Sequence, residues 1–210
     1  MGKWCKNLLR QETCGKIGIV IAGTSRPEFE KEVLGLCDEV ISSKDSVYHA
    51  HLVKKNGITL PIIFNIYGAP AMVDVLTEMY DGGCHTVLFL GVAYGGFKNL
   101  EVGTIIIPTK AYHFDGLYYA VKLDREVALP DQELKKVLES LFTEQNIKYV
   151  EGVNISVPAV TFQLPHNNDL YRKIDPSTVE MELASFFSRA KDIGMRAAAS
   201  LVISDNRKSS

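Results

Sequence analysis

The sequence contains no long hydrophobic run: its longest apolar stretch, Ile17 to Ala22, is far too short to span a bilayer. It also lacks any Lys/Arg-rich segment, and its formal net charge of −2 provides no basic surface for a nucleic acid or a membrane. No apolar targeting segment follows the charged start of the chain. These absences predict a cytoplasmic protein without nucleic-acid or membrane partners.

Cofactor-binding signatures are missing as well. The four cysteines, Cys5, Cys14, Cys37 and Cys84, show no CxxC spacing, so we expect free thiols in a reducing compartment. Neither Gly-x-Gly-x-x-Gly nor a Gly-Lys-Ser/Thr ending occurs, which argues against binding of a dinucleotide or a nucleoside triphosphate. We therefore predict no cofactor.

What the sequence does contain is a series of short, β-rich apolar runs that alternate with helical patterns. Strands are predicted at Lys16 to Ala22, on both sides of an Asn56-Gly57 turn, at His85 to Leu90, Gly103 to Pro108, around Ile147 to Val160, and at Ala197 to Ile203. Helices are predicted from Pro27, over Met72 to Met79, over Leu134 to Phe142 with Asp131 near its start, and over Glu180 to Ile193. This order predicts a single-domain α/β fold with a mixed central sheet flanked by helices.

Polar or glycine-rich segments follow three of the predicted strands: Gly23 to Arg26, Gly91 to Gly96, and Ser204 to Asn206. Ligands of such sheets gather at the carboxyl ends of the strands, so we expect a small-molecule site there. For the segment from Gly91, an ordinary tight turn is the alternative. Arg26 could meet an anion beside a helix N-terminus, or be a surface side chain.

Two glutamates, Glu180 and Glu182, lie two residues apart where a helix is predicted to begin. On a helix they would point to roughly opposite sides, so at most one would face a given pocket. A carboxylate suits a sugar diol, because its oxygens accept hydrogen bonds from two adjacent hydroxyls. The alternative is that both are favourable charges at a helix N-terminus.

Asp205 follows the last apolar strand, where a partly desolvated carboxyl could have a raised pKa and donate a proton. Termination of the strand by a turn residue is the alternative. His49 and His51 share one face of a probable strand, but no third metal ligand with suitable spacing follows them. We therefore predict a solvated strand face there, and no metal site.

Several segments occur together, in order, as they do in the nucleoside phosphorylase-I family. They are Gly68-Ala69-Pro70, the segment from Gly91, Leu100-Glu101-Val102-Gly103, Val179-Glu180-Met181-Glu182 and Ser204-Asp205-Asn206, with Ala111-Tyr112-His113 and Gly116-Leu117-Tyr118-Tyr119 resembling the archaeal purine nucleoside and methylthioadenosine phosphorylases. The resemblance covers residues 16–210 and leaves residues 1–15 as an N-terminal extension. It implies a partly barrel-like sheet and a homo-oligomer built from dimers, such as a hexamer.

The resemblance also implies an activity, the cleavage of a purine nucleoside by phosphate to give free base and ribose 1-phosphate. Glu182 would then bind the ribose hydroxyls, Met181 would pack under the sugar, and Glu180 would assist. Asp205 would protonate the leaving base. Phe162 would stack on that base, with Ala93 and Tyr94 beside it.

The phosphate side departs from the family pattern. Gly23 and Arg26 are retained as candidate phosphate contacts, but Phe89 and Val92 replace an Arg and a Ser or Thr, and Tyr94 replaces a small residue. The chain ends at Ser210, where the family adds a closing segment and helix. Two alternatives therefore stay open. One is a nucleosidase, for which Glu28 and Glu30 are the nearby glutamates that could activate water, and the other is a non-catalytic nucleoside-binding protein.

Overall fold

The computed structural model describes residues 3–24, 26–96, 100–118, 126–163 and 169–206. Ser25 and Tyr119, which belong to motifs quoted above, lie outside the described residues. The helices are α1 (Lys3–Leu9), α2 (Pro27–Gly35), α3 (Ala69–Asp81), α4 (Gln132–Glu144), α5 (Asp169–Ile174) and α6 (Leu183–Ile193). The strands are β1 (Ile17–Ala22), β2 (Glu39–Asp45), β3 (His49–Lys55), β4 (Ile58–Ile66), β5 (Thr86–Gly95), β6 (Ile105–His113), β7 (Val127–Ala128), β8 (Val150–Ser156), β9 (Thr178–Glu180) and β10 (Arg196–Asp205).

The strands form one mixed sheet in the order β10-β6-β8-β9-β5-β1-β4-β3-β2, and β10 also pairs with β5. That second pairing closes β5, β9, β8, β6 and β10 into a barrel, while β1, β4, β3 and β2 extend from it as an open sheet. The predicted mixed α/β fold with a partly barrel-like sheet is thus confirmed. Strands β1, β5 and β10 run parallel, so their carboxyl ends meet at one edge.

The main core lies between this sheet and helices α3 and α6. Phe89 of β5 is fully buried there, and its ring centroid lies 5.3 Å from that of Phe186 of α6. Helix α1 joins the same core through Cys5 and Leu9, so the predicted N-terminal extension is packed against α3. All four cysteines are free thiols.

Local sequence signals are confirmed where they act over a few residues. Asn56 and Gly57 have φ angles of 49° and 78°, which gives the tight turn between β3 and β4. The side chain of Asp131 caps α4 by accepting a hydrogen bond from the backbone N–H of Leu134 at 2.7 Å. Gly194 ends α6 in the left-handed conformation.

Two predicted boundaries were wrong, and both concern the edge where the strands end. The segment from Gly91 is not a loop, because β5 continues to Gly95 by pairing with β10 on one side and β9 on the other. The last helix does not begin at Glu180: that residue ends β9, and Glu182 is the residue that precedes α6. Within the described residues, no helix has the length and apolar character needed to cross a membrane.

Candidate active site

A small cleft opens where β1, β5, β9 and β10 end and where α3 and α6 begin. Its cavity volume is about 130 Å³. Its described lining residues are Gly23, Tyr67, Val92, Ala93, Tyr94, Val160, Gln163, Glu180, Met181, Glu182, Ser204 and Asp205. The three strand ends expected to converge therefore do so, and they meet both glutamates.

Glu180 is a fully bonded carboxylate. One oxygen accepts from Asn154 Nδ2 at 2.7 Å and from Ser156 Oγ at 2.5 Å. The other accepts from the backbone N–H groups of Glu182 at 2.6 Å and Leu183 at 2.7 Å. Glu180 thus ties β8 and β9 to the first turn of α6. Burial raises its pKa, although these four hydrogen bonds favour the ionised form.

Glu182 is also buried, but its environment is different. Its Oε1 accepts a hydrogen bond from the backbone N–H of Gly68 at 2.5 Å, at the start of α3. Gly68 has φ 85° and ψ 158°, a conformation nearly restricted to glycine, and this conformation directs its N–H at the carboxylate. Burial and the neighbouring charge of Glu180 hold the pKa of Glu182 well above its usual range. The cleft therefore contains a desolvated carboxyl with an unusually high proton affinity.

The expectation that only one glutamate faces the cleft was wrong. Glu180 ends a strand and Glu182 precedes a helix, so the opposite-side rule for helical residues does not apply to them. Met181 lies between them and is also buried against the cleft.

Asp205 lies at the end of β10, on the rim of the cleft. Its Oδ1 accepts a hydrogen bond from Ser204 Oγ at 2.6 Å. The side chain is exposed, so the partial desolvation expected from the sequence is absent. Asp205 nevertheless faces the same cavity as Glu182, which places one solvated and one buried carboxyl on a single site.

The predicted base-binding residues are only partly brought together. Ala93 and Tyr94 are buried and line the cleft. Phe162 does not line it: the short 3₁₀ turn Val160–Phe162 leaves this ring 58% exposed. Val160 of this turn and Gln163, which directly follows it, line the cavity instead. Phe162 therefore lies outside the cleft, because the turn directs its aromatic ring outward.

The predicted phosphate contacts are separated. Gly23 lines the cleft, whereas Arg26 is exposed in an adjoining groove of about 750 Å³ along β1, β5, β10 and the start of α2. The groove and the cleft share Gly23, Val92 and Ser204. Among the described residues that line the cleft, none is a lysine or an arginine.

Comparison with known proteins identifies the family of this chain. A sequence profile of the phosphorylase superfamily matches residues 21–210. The chain belongs to the phosphorylase superfamily.

Solved structures confirm the fold of this phosphorylase-superfamily chain. The 5′-methylthioadenosine/S-adenosyl homocysteine nucleosidase of Campylobacter jejuni is 18% identical, with a TM-score of 0.76 over 91% of this chain and 86% of that one. The purine nucleoside phosphorylase of Toxoplasma gondii, in complex with immucillin-H, is 16% identical, with a TM-score of 0.77 over 91% and 77%. A futalosine hydrolase mutant of Helicobacter pylori is 22% identical, with a TM-score of 0.74 over 90% and 89%. Phosphorylases and hydrolases therefore share this fold.

Phe89, which stands where the family pattern has an arginine, belongs to the core of this superfamily member. Its side chain points into the core rather than into the cleft. A Cβ placed on Gly91 would lie 2.4 Å from the Phe89 ring, so the large ring and the missing side chain occupy complementary space. The Phe89 position therefore serves packing here.

Three cleft residues were not anticipated from the sequence: Tyr67, Val160 and Gln163. Tyr67 directly precedes the Gly68-Ala69-Pro70 motif, which was the available signal for it. Val160 and Gln163 flank the predicted Phe162, and only the rotation of the 3₁₀ turn distinguishes them from it.

Replacing Glu180, whose carboxylate is fully hydrogen-bonded, is expected to destabilise the protein. Glu180→Gln leaves one acceptor oxygen and turns an NH₂ group toward neighbouring donors, either the backbone N–H groups of Glu182 and Leu183 or the side chains of Asn154 and Ser156. A buried donor facing donors costs about 1–3 kcal/mol, so we expect the denaturant midpoint to fall. An unchanged midpoint would contradict the anchoring role.

Proposed function

We propose that this protein binds a purine nucleoside in the cleft and cleaves its N-glycosidic bond. The observation that carries the proposal is the buried carboxyl of Glu182, which shares one cavity with Met181 and Asp205. The superfamily and the three structural relatives are consistent with it.

In this mechanism Glu182 accepts hydrogen bonds from the ribose hydroxyls, and Met181 packs against the sugar. Glu180 assists indirectly by fixing the backbone N–H of Glu182. As the bond breaks, positive charge develops on the sugar and negative charge on the base. The Glu182 carboxylate balances the first charge. Asp205 relieves the second by passing to the base a proton that its exposed carboxyl takes up from solvent.

The base lies between Ala93, Tyr94 and the 3₁₀ turn. Val160 supplies an apolar surface, and the Gln163 amide offers both a donor and an acceptor to a heterocycle edge. Phe162 would join them only by turning inward from its exposed position.

Phosphate is the proposed acceptor, with base and ribose 1-phosphate as products. It would enter from the groove, beside Gly23 and within reach of the Arg26 guanidinium. A guanidinium binds phosphate oxygens through paired hydrogen bonds, which makes Arg26 the cation in the groove best suited to this contact.

Water is the second candidate acceptor, and two observations favour it. Phe89 points into the core and Val92 lines the cleft with an apolar side chain, so neither donates a hydrogen bond to an anion. Glu28 lines the groove and could activate water, whereas both oxygens of Glu30 are bonded to histidines.

Release of free base from inosine, adenosine and methylthioadenosine, with and without phosphate, tests the proposal. Phosphorolysis predicts turnover that requires phosphate and falls by at least about tenfold in Arg26→Ala, because a charge-assisted contact is lost. Turnover that ignores phosphate assigns hydrolysis instead. Nucleoside binding in calorimetry without release of base would contradict both and identify a non-catalytic binding protein.

We also propose that the protein is cytoplasmic and forms a homo-oligomer. Sedimentation of a monomer at micromolar concentration would contradict the homo-oligomer.

A further inference from the structure

A cluster of two histidines and two carboxylates lies outside the cleft, between α2 and the β2–β3 hairpin. Asp45 of β2 is directly opposite His49 of β3, and Ser43 is directly opposite His51. Residues two apart on a strand point to the same face. These four hairpin side chains, including Ser43, can therefore all reach the side of the hairpin that faces α2. Glu30 of α2 covers this face.

Glu30 is the centre of the cluster. Its Oε2 lies 2.7 Å from His49 Nδ1, and its Oε1 lies 2.9 Å from His51 Nε2. One ligand atom each from Glu30, Asp45 and His49 lies within 4.8 Å of the other two. The solvated strand face expected for these histidines is wrong for His51, which is buried.

We propose that Glu30, Asp45 and His49 bind a divalent cation, and that zinc is the ion that fits best. Zinc takes carboxylate oxygen and imidazole nitrogen at about 2.0–2.2 Å in tetrahedral geometry, which puts ligand atoms about 3.3 Å apart. The Glu30–His49 pair must therefore open from its 2.7 Å hydrogen bond by about 0.6 Å, as the ion replaces the shared proton. The fourth position is open to solvent, because Asp45 is exposed and His49 is only half-buried.

His51 gives the cluster a defined geometry by orienting the Glu30 carboxylate. A carboxylate only accepts hydrogen bonds, so His51 Nε2–H donates to Glu30 Oε1. The other ring nitrogen then accepts from Ser43 Oγ at 2.8 Å. This relay fixes the orientation of the Glu30 carboxylate from a buried position, as outer partners do for ligands in metal sites.

The charges favour a dication. Glu30 and Asp45 contribute two carboxylates, whose negative charge a dication offsets. The nearest lysine along β2, Lys44, has its ammonium bonded to the carbonyl of Asn7. An ion here ties the start of α2, which borders the groove, to the hairpin.

Calorimetric titration of the EDTA-treated protein with zinc chloride tests the site. A Cys37→Ser background removes the only thiol that is not buried and that could bind zinc itself. We expect one zinc per chain with a Kd on the order of 1 µM or tighter, and a higher Tm with zinc. His49→Ala and Asp45→Asn are each expected to weaken binding by at least about tenfold. His85→Ala, which removes an exposed histidine near Tyr80, is the matched control and should bind zinc as the parent does.

No binding tighter than about 100 µM, or equal binding by the parent and both ligand variants, would overturn the proposal. Both altered side chains are at least partly exposed, so loss of the fold is not expected to confuse the result. Zinc binding is measured without a nucleoside, so its failure leaves the proposed cleavage reaction untouched.

Discussion

Glu182→Gln is expected to lower nucleoside turnover by about 10²–10³-fold while raising the melting temperature of the protein. The substitution keeps an oxygen that can accept the hydrogen bond of the Gly68 N–H. It removes the charge that, in the proposed mechanism, balances the developing positive charge on the sugar. It also replaces one acceptor for a ribose hydroxyl with a donor. Turnover is measured as free base released at saturating nucleoside.

The gain in stability follows from the same carboxyl. Burial and the charge of Glu180 disfavour ionised Glu182 in the folded state, so its folded pKa is raised. Below the ordinary pKa of 4.5 the group is neutral in both states, and folding carries no penalty from it. As the pH rises above that value, the unfolded chain ionises while folded Glu182 resists, and stability is lost until the folded pKa is passed.

Glu182→Gln removes this loss. At neutral pH we expect a gain on the order of 1 kcal/mol, or a Tm higher by about 2–4 °C, and a flatter dependence of Tm on pH above 4.5 than in the parent.

Two matched variants identify the cause of the lower turnover and the higher Tm expected for Glu182→Gln. Glu78→Gln removes another carboxyl whose pKa is raised by burial, on α3 and outside the cleft, so it should raise Tm slightly without loss of turnover. Glu180→Gln, in the same motif as Glu182, should instead lower stability. If Glu182→Gln kept full turnover, the ribose-binding role would be wrong; a lower Tm would contradict the electrostatic argument.

The sequence predicted the parts of this protein whose partners lie close along the chain. The Asn56-Gly57 turn and the Asp131 cap depend on backbone angles and donors within a few residues. The barrel is different, because residues after Gly91 remain in a strand only through pairing with the distant β9 and β10. Local glycine content therefore indicated a turn where closure of the sheet imposes a strand.

The functional sites show the same contrast between features set by the local sequence and features set by the tertiary fold. The order of motifs, through the family resemblance, predicted that Glu182, Met181 and Asp205 share one site, and all three line one cavity. The orientation of Phe162 depended on a short 3₁₀ turn that has no sequence period. After His49 and His51 the sequence contains no third metal ligand with suitable spacing. The partners of this pair precede it instead, because a hairpin and a returning helix bring Asp45 and Glu30 back to it.

Asp205→Asn is expected to lower the turnover of purine nucleosides by about 10²–10⁴-fold, the range that general acid catalysis supplies. An asparagine accepts the Ser204 hydroxyl as the aspartate does, but it has no carboxyl proton to donate to the leaving base. The side chain is exposed, so Tm should change little. Asp169→Asn, at an exposed carboxyl on α5, is the control for loss of a surface charge.

A change of leaving group separates proton donation from binding. A 4-nitrophenyl riboside releases an acidic phenol that needs no proton in the transition state, so its cleavage should be far less sensitive to Asp205→Asn than cleavage of inosine. Equal losses for both substrates would instead assign Asp205 to positioning or binding. Turnover of inosine within about twofold of the parent would remove Asp205 from the mechanism, because proton donation is expected to supply far more than that. The proposed pairing of an acid, Asp205, with an anion, Glu182, at one glycosidic bond would then be wrong.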